Sequence, residues 1–236
     1  MALHDYVFPA EWEEQASVIL SCPVNPLTWP HNRPLMEKAY AEFVAAISRF
    51  QHVRLICLQQ AQAHYTELLA QADAKQEHIL FYDLSTNDAW CRDHGPIFLR
   101  HRQSGKRVIL DFNYNAWGGK FSPWDDDQAV PRRMAAKLGL DCFSVPLTCE
   151  GGALEVNGAG TLLTTASVLL NENRNPGLDK KEVERILIEF MGLEQVLWLE
   201  QGLTGDDTDG HIDTLTRFFR KDAVLTVFDE DPASPN

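Results

Sequence analysis

No apolar run in this chain approaches the roughly 20 residues that a membrane-spanning helix needs. Residues 1–12 carry His4, Asp5 and Glu11 and lack the basic-then-apolar order of a secretory signal, so none is expected there. Clustered basic charge is equally scarce. Nothing longer than Arg132-Arg133 or Lys180-Lys181 occurs, in a chain of formal charge −13. Phosphate binding needs a concentrated positive face, so neither nucleic acid nor a membrane is an expected partner. A small cation, by contrast, is electrostatically welcome. The five cysteines, Cys22, Cys57, Cys91, Cys142 and Cys149, form no C-x-x-C pair. This argues against a structural zinc, and free thiols in a reducing cytoplasm are the expectation. The Gly-Gly pairs are not followed by Gly-Lys-Ser/Thr, which excludes a phosphate-binding loop of that type.

The 236 residues are 44% hydrophobic with six tryptophans, enough for one large domain over 1–236 with a substantial core. Strand-like runs fall at 17–22, 53–58, 79–82, 108–112, 160–165, 196–199 and 224–228. Between them lie helical patterns. Leu35, Met36, Ala39, Tyr40, Phe43, Val44, Ile47 and Phe50 recur at helical spacing after Pro34 and predict an amphipathic helix with that core stripe. A shorter helix is expected over 61–72, and Asp125-Asp126-Asp127 supplies an acidic first turn for a helix to about 138. Asp179 with Glu182 reads as a capping box for a helix whose core face is Val183, Ile186, Leu187, Phe190 and Met191 and which Gly192 ends. Such alternation places the fold in the α/β or α+β class. A loop punctuated by Pro23, Pro26, Pro30 and Pro34 holds Trp29, and the tail from Asp229 is acidic and proline-rich.

The chemistry sits in polar, glycine-marked inserts at strand ends. These are Trp90-Cys91-Arg92-Asp93, Trp117-Gly118-Gly119, Glu150-Gly151-Gly152 and His211-Ile212-Asp213, the last leading into a β-branched and aromatic run at 214–219. On a strand, His211 and Asp213 would share one face. Each residue also has an ordinary reading: Asp93 as a turn cap, Glu150 as a turn carboxylate, His211 as a structural histidine, the tryptophans as core. Taken together, Asp93 and Asp213 can each face one edge of a planar multi-donor cation such as guanidinium. Tryptophan can cover such a cation through its ring face, while His211 shuttles protons with Glu150 holding it. The same carboxylates with His94 or His211 could instead ligate a hard divalent metal, although no His-x-His pair supports that version.

These motifs resemble those of the agmatine deiminase and bacterial peptidyl-arginine deiminase family, a branch of the guanidine-modifying enzymes. The resemblance rests on seven segments in family order: Phe8-Pro9-Ala10-Glu11-Trp12-Glu13, Asn87-Asp88-Ala89-Trp90-Cys91-Arg92-Asp93-His94-Gly95-Pro96, Asp111-Phe112-Asn113-Tyr114-Asn115-Ala116-Trp117-Gly118-Gly119-Lys120, Glu150-Gly151-Gly152, Thr161-Leu162-Leu163-Thr164-Thr165, Leu170-Asn171-Glu172-Asn173-Arg174-Asn175-Pro176 and Thr208-Asp209-Gly210-His211-Ile212-Asp213. It implies a five-fold pseudosymmetric α/β propeller of the pentein type with the site at its centre. It also implies hydrolytic deimination without a metal or cofactor, agmatine giving N-carbamoylputrescine and ammonia on the way to putrescine. A cysteine thiolate attacks the guanidinium carbon in such enzymes, ammonia leaves, and water resolves the covalent thiouronium. By the same resemblance Asp93 and Asp213 grip the guanidinium nitrogens, His211 is the acid–base group and Glu150 supports it. Trp90 then lines the substrate channel, joined by Trp117 and Asp207. Members that act on arginine's free carboxylate place arginines near the segment matching 115–118; this chain has none there, which favours agmatine over arginine or peptidyl-arginine as substrate.

One departure qualifies the match. The family's nucleophilic cysteine lies in a glycine-rich motif well beyond the position of Phe228, and none of the five cysteines has that context. The expectation is therefore a propeller incomplete at its C-terminus that keeps the guanidinium grip and the histidine without the thiol. Little deiminase activity is expected from it. The alternatives are a non-catalytic guanidine- or polyamine-binding module, and an unfinished propeller that exposes apolar edges and associates with itself or a partner.

Overall fold

The computed structural model describes residues 3–231, so the expected tail lies outside the described residues from 232 onward, as does the start of the N-terminal segment. A short strand β1 (Tyr6–Val7) precedes a parallel unit of β2 (Ser17–Ser21), α1 (Arg33–Ser48), β3 (His52–Ile56), α2 (Gln59–Gln71) and β4 (Ile79–Tyr82). The three longer strands form one sheet in the order β2-β3-β4. Parallel neighbours require long crossovers, which the two amphipathic helices supply. The stripe expected on the first helix is only partly right. Val44 is buried, but Leu35, Phe43 and Phe50 face solvent, and the buried face is completed by Glu37, Ala41, Ala45 and Ser48. Eight apolar positions are more than one face can hold, and the small residues Ala41 and Ala45 take the side that packs with Tyr65 and Leu69 of α2. The apolar run at Ser17, which reads as a buried strand, is half-buried because β2 is an edge of its sheet.

The chain then passes through a one-turn helix α3 (Cys91–His94) to β5 (Ile97–His101) and β6 (Arg107–Asn113). After the tight turn α4 (Ala116–Gly119) come α5 (Asp125–Gln128), α6 (Val130–Leu138) and β7 (Asp141–Thr148). The single helix expected from Asp125 breaks in two at Ala129. Pro131 has no N–H to continue the ladder, and the Asn87 side chain accepts from the Asp126 and Asp127 amides and anchors the first turn separately. Strand β1 returns to the edge of this sheet, giving the order β1-β5-β6-β7.

A third sheet, β10-β9-β8, is built from β8 (Glu155–Val156), β9 (Thr161–Thr165), the short helix α7 (Ala166–Leu169), α8 (Lys180–Met191) and β10 (Gln195–Leu199). The capping box of α8 is present as read: Asp179 accepts from the Glu182 amide at 2.9 Å, Glu182 accepts from the Asp179 amide at 2.9 Å, and Gly192 closes the helix at φ 63°. Val183, Leu187 and Met191 of α8 enter the largest core with Leu99, Leu110, Leu147, Leu162 and Leu169. A two-stranded ribbon of β11 (Thr216–Arg220) and β12 (Ala223–Thr226) comes last. It leaves Leu225 in water at 72% exposure, and Phe228 just beyond it is 81% exposed. Among the described residues no helix is long and apolar enough to cross a membrane.

Burial separates two leucines sharply. Leu187→Ala in the large core is expected to lower unfolding stability by about 2–5 kcal/mol in urea titration. Leu225→Ser on the ribbon should change it by less than about 0.5 kcal/mol.

Candidate functional site

Strands β4, β6, β7 and β10 all deliver their carboxyl ends to one region, and the residues singled out in the sequence lie on the turns that follow them. That is the usual place for a ligand in an open α/β sheet. Asp93 is carried by α3 after β4, Trp117 by the turn after β6, Glu150 by the turn after β7, and His211 by the loop after β10.

Three of these side chains meet. The buried His211 ring stands between two carboxylates, with Nδ1 3.6 Å from Asp93 Oδ1 and Nε2 3.7 Å from Glu150 Oε2. Both distances exceed a hydrogen bond, and His211 Nε2 and Glu150 Oε2 have no hydrogen-bond partner. Asp93 is fixed independently: Gly152 N–H donates to Oδ1 at 3.0 Å and the Trp117 indole N–H donates to Oδ2 at 3.0 Å. Gly152 is required here by close approach, because a Cβ at that position would stand 2.7 Å from Asp93 Oδ1 and would also strike the His211 ring. Trp117 reaches Asp93 from a left-handed backbone, φ 57° and ψ 45°, which few non-glycine residues adopt. The turn is held by Asn115, whose side chain accepts from Gly118 N–H at 2.9 Å and donates to Asn173 O at 2.9 Å.

Glu150 is wholly buried, and its charge is answered by Arg174, whose Nε donates to Oε1 at 2.6 Å. Arg174 spends its remaining donors on Asp209 Oδ2 at 2.8 Å, Asn173 Oδ1 at 2.7 Å and Thr208 O at 3.1 Å. Asp209 in turn accepts from Lys120 Nζ at 2.7 Å. The sequence does not mark Arg174 or Asp209 as site residues, although they lie in the segments 170–176 and 208–213. A polar Asn-Arg-Asn-Pro turn gives no sign that its arginine is the counter-ion of a glutamate placed 24 residues earlier.

Other expected residues are placed differently. His211 and Asp213 do not share a strand face: residues Ile212–Thr214 form a 3-10 turn and the strand starts only at Thr216. Gly210, at φ 100°, turns the chain ahead of it. Asp213 instead lies 3.4 Å from Arg92 Nε. Trp90 is 47% exposed, at the rim, with its ring 6.0 Å from Trp29 of the proline-rich loop and 6.5 Å edge-on from Trp117. Trp117 itself is buried and works as a donor to Asp93. The Asp207 side chain is exposed, and its backbone carbonyl accepts from Lys120 Nζ at 2.6 Å.

Burial and charge set the proton affinities. Burial pushes the Asp93 carboxyl above its usual range, with the neighbouring Glu150 charge adding to the rise and His211 opposing it. Although Asp93 faces an imidazole, burial and like charge win. Burial works against ionised Glu150 too, but His211 and Arg174 outweigh it and hold the carboxyl below its ordinary 4.5. Burial also opposes a charged His211, and Glu150, Asp93 and Asp213 together reverse it, so the ring titrates above 6.5. The thiols near these segments are held protonated: burial pushes Cys91 up to about 12 and Cys149 well above its ordinary value. Cys57 alone is lowered, through hydrogen bonding with the free Cys22 thiol, and it lies just after β3 in the core of the first unit.

A part-buried carboxylate, a buried imidazole and a second carboxylate held below its ordinary range can together hold a cation and exchange protons beside it. Comparison with known proteins gives the family. Residues 7–236 match the Porphyromonas-type peptidyl-arginine deiminase family, and the chain belongs to it. It is 35% identical over 236 residues to the agmatine deiminase of Stutzerimonas stutzeri, covering 98% of this chain and 62% of that protein. It is 34% identical to that of Pseudomonas fluorescens with the same coverage, 98% and 62%. Among solved structures, the agmatine deiminase of Enterococcus faecalis superposes with a TM-score of 0.88 at 33% identity, over 98% of this chain and 63% of that one. A substrate-bound agmatine deiminase of C. jejuni gives 0.85 at 37% identity, over 98% and 67%. The chain thus spans 61–62% of the length of the first curated relatives it matches.

Two measurements test this electrostatic arrangement. Arg174→Met leaves Glu150 buried without its cation and is expected to cost about 3–5 kcal/mol in denaturant titration. Glu150→Gln is expected to lower the His211 titration midpoint followed by NMR. It should also alter the pH profile of stability. The raised His211 pKa stabilises the fold below 6.5, a contribution lost as pH rises through the folded value; the lowered Glu150 pKa stabilises it above 4.5, a contribution lost as pH falls through the folded value. Glu150→Gln should flatten both limbs.

Proposed function

We propose that this chain holds the guanidinium-binding and proton-handling residues of an agmatine deiminase-like hydrolase, folded as a single domain with its sheets arranged as blades of a five-fold propeller. The observation that carries the reading is the imidazole of His211 bracketed by Asp93 and Glu150. Glu150, kept ionised by Arg174, draws Nε2 toward itself and leaves Nδ1 on the Asp93 side. A guanidinium resting on Asp93 then lies beside Nδ1, where a proton can pass to a departing amine as ammonia and be recovered from the incoming water. Asp93 has an acceptor lone pair free on each oxygen, since Gly152 and Trp117 use one each. Trp90 at the rim offers a ring face to the ligand's cationic or alkyl part.

The covalent step of the family needs a thiolate. The thiols nearest this site are protonated at neutral pH, and the resemblance assigns the nucleophile to a position beyond Phe228. This favours a chain that binds agmatine without converting it, and the lack of arginine at 115–118 supports agmatine over arginine or peptidyl-arginine. A soluble cytoplasmic setting in putrescine formation goes with that reading. The exposed ribbon supports self-association at high concentration.

Calorimetric titration with agmatine should show binding that Asp93→Asn weakens by at least about tenfold, as expected when one partner of a charge-assisted pair is lost. Ammonia release should stay at background. A rate of ammonia release from agmatine that His211→Ala abolishes would show that a nucleophile is present after all, and tighter binding of a peptidyl-arginine than of agmatine would reverse the substrate assignment.

A further inference from the structure

Asp213 is not waiting empty. The guanidinium of Arg92 lies against it, Nε to Oδ2 at 3.4 Å, so the chain's own side chain presents to this carboxylate the same chemical group as the proposed substrate. The contact is long and uses one nitrogen, whereas a carboxylate holds a guanidinium best through two parallel N–H donors at about 2.7–2.9 Å. Arg92 has a second and closer partner: Nη1 donates to Glu11 Oε1 at 2.5 Å. Glu11 belongs to a chain of alternating charge. Its other oxygen accepts from Arg217 Nη2, and Arg217 Nε is 2.6 Å from the buried Glu155. The sequence Asp213–Arg92–Glu11–Arg217–Glu155 has one more negative group than positive, so either end can accept a further cation without leaving a positive charge unpaired. Arg92 also has room to move. Its side chain is 42% exposed and lines, with Glu11, a groove of about 670 Å³ between β2 and β5.

We infer that Arg92 is an internal occupant of the guanidinium position that the family resemblance implies at Asp213, a specificity-determining residue that an incoming ligand must displace. Glu11 receives the displaced Arg92, which swings into the groove without losing its stronger ion pair. The arrangement selects for guanidinium over ammonium. A guanidinium exchanges one long contact on Asp213 for a two-nitrogen fork, while a simple ammonium offers a single point charge and gains less from evicting Arg92. Arg92 is thereby the counterweight that lets this carboxylate tell agmatine from a diamine of similar length.

The inference rests on the proposed guanidinium-binding function, and titration of agmatine and putrescine into the unaltered chain, Arg92→Gln and Glu11→Gln separates the two. Removing the competing cation should tighten agmatine roughly fivefold, the upper end of what an exposed ion pair is worth. Putrescine should tighten by a larger factor, so the preference for agmatine narrows. Glu11→Gln deprives Arg92 of its alternative partner, leaves it on Asp213 and should weaken agmatine. If the unaltered chain binds agmatine and Arg92→Gln binds it equally or more weakly, Arg92 only positions Asp213 and the inference fails while the functional reading stands. If neither the unaltered chain nor Arg92→Gln binds agmatine, both fall. Binding seen only in Arg92→Gln would support the displacement most directly.

Discussion

The buried ion pair of Glu150 and Arg174 is the constraint on which the site depends. A carboxylate without exposure would ordinarily surrender its charge, because taking an ion out of water costs several kcal/mol even after relaxation. Glu150 keeps it because a guanidinium lies 2.6 Å away and is itself held by Asp209, Asn173 and Thr208. From that fixed negative charge the rest follows in order. His211 gains proton affinity from it, and so does Asp93, whose carboxyl burial already pushes up, a rise that His211 only partly offsets. One buried anion thus raises the proton affinity of both titratable neighbours.

Around this pair the fold acts as a holder of turns. None of the expected site residues lies within a long helix or an extended strand; each is on a loop, a one-turn helix or a 3-10 turn fed by a strand end. Precision then has to come from the turns themselves. Asn115 locks the Trp117 turn, Gly152 permits close packing of three polar groups, and Thr208 accepts the arginine through its carbonyl and the His211 amide through its hydroxyl. Side chains that look incidental in the sequence are hydrogen-bonding supports.

Much of this was legible beforehand, and the failures have physical causes. The capping box at Asp179 and Glu182 fixes a helix start with local chemistry alone, so the sequence announces it. Parallel strands were visible as apolar runs separated by helical patterns. The buried face of α1 was misjudged because eight apolar residues offered more stripe than one neighbour could cover, and tertiary packing chose the small side. The relation of His211 to Asp213 was misjudged because i and i+2 share a face only on a strand, and here a 3-10 turn intervenes. Nothing in the sequence marks Arg174, because long-range charge pairing leaves no periodicity. Asp93, Glu150 and His211 were identified from residue type and from the family's motif order, and the geometry brings those three together while moving Trp117 from platform to support.

The spacing of the buried pair carries a consequence for how the protein is made. Glu150 leaves the ribosome 24 residues before the arginine that neutralises it, and His211 emerges later still. At about 5–20 residues per second, the glutamate waits only ~1–5 s for its partner. During that interval two carboxylates would share a pocket with no cation between them, so the turn regions of the first two sheets gain nothing by closing early. Arg174 ends that interval, and the loop after β10, which carries His211, is the last segment of the centre to be synthesised.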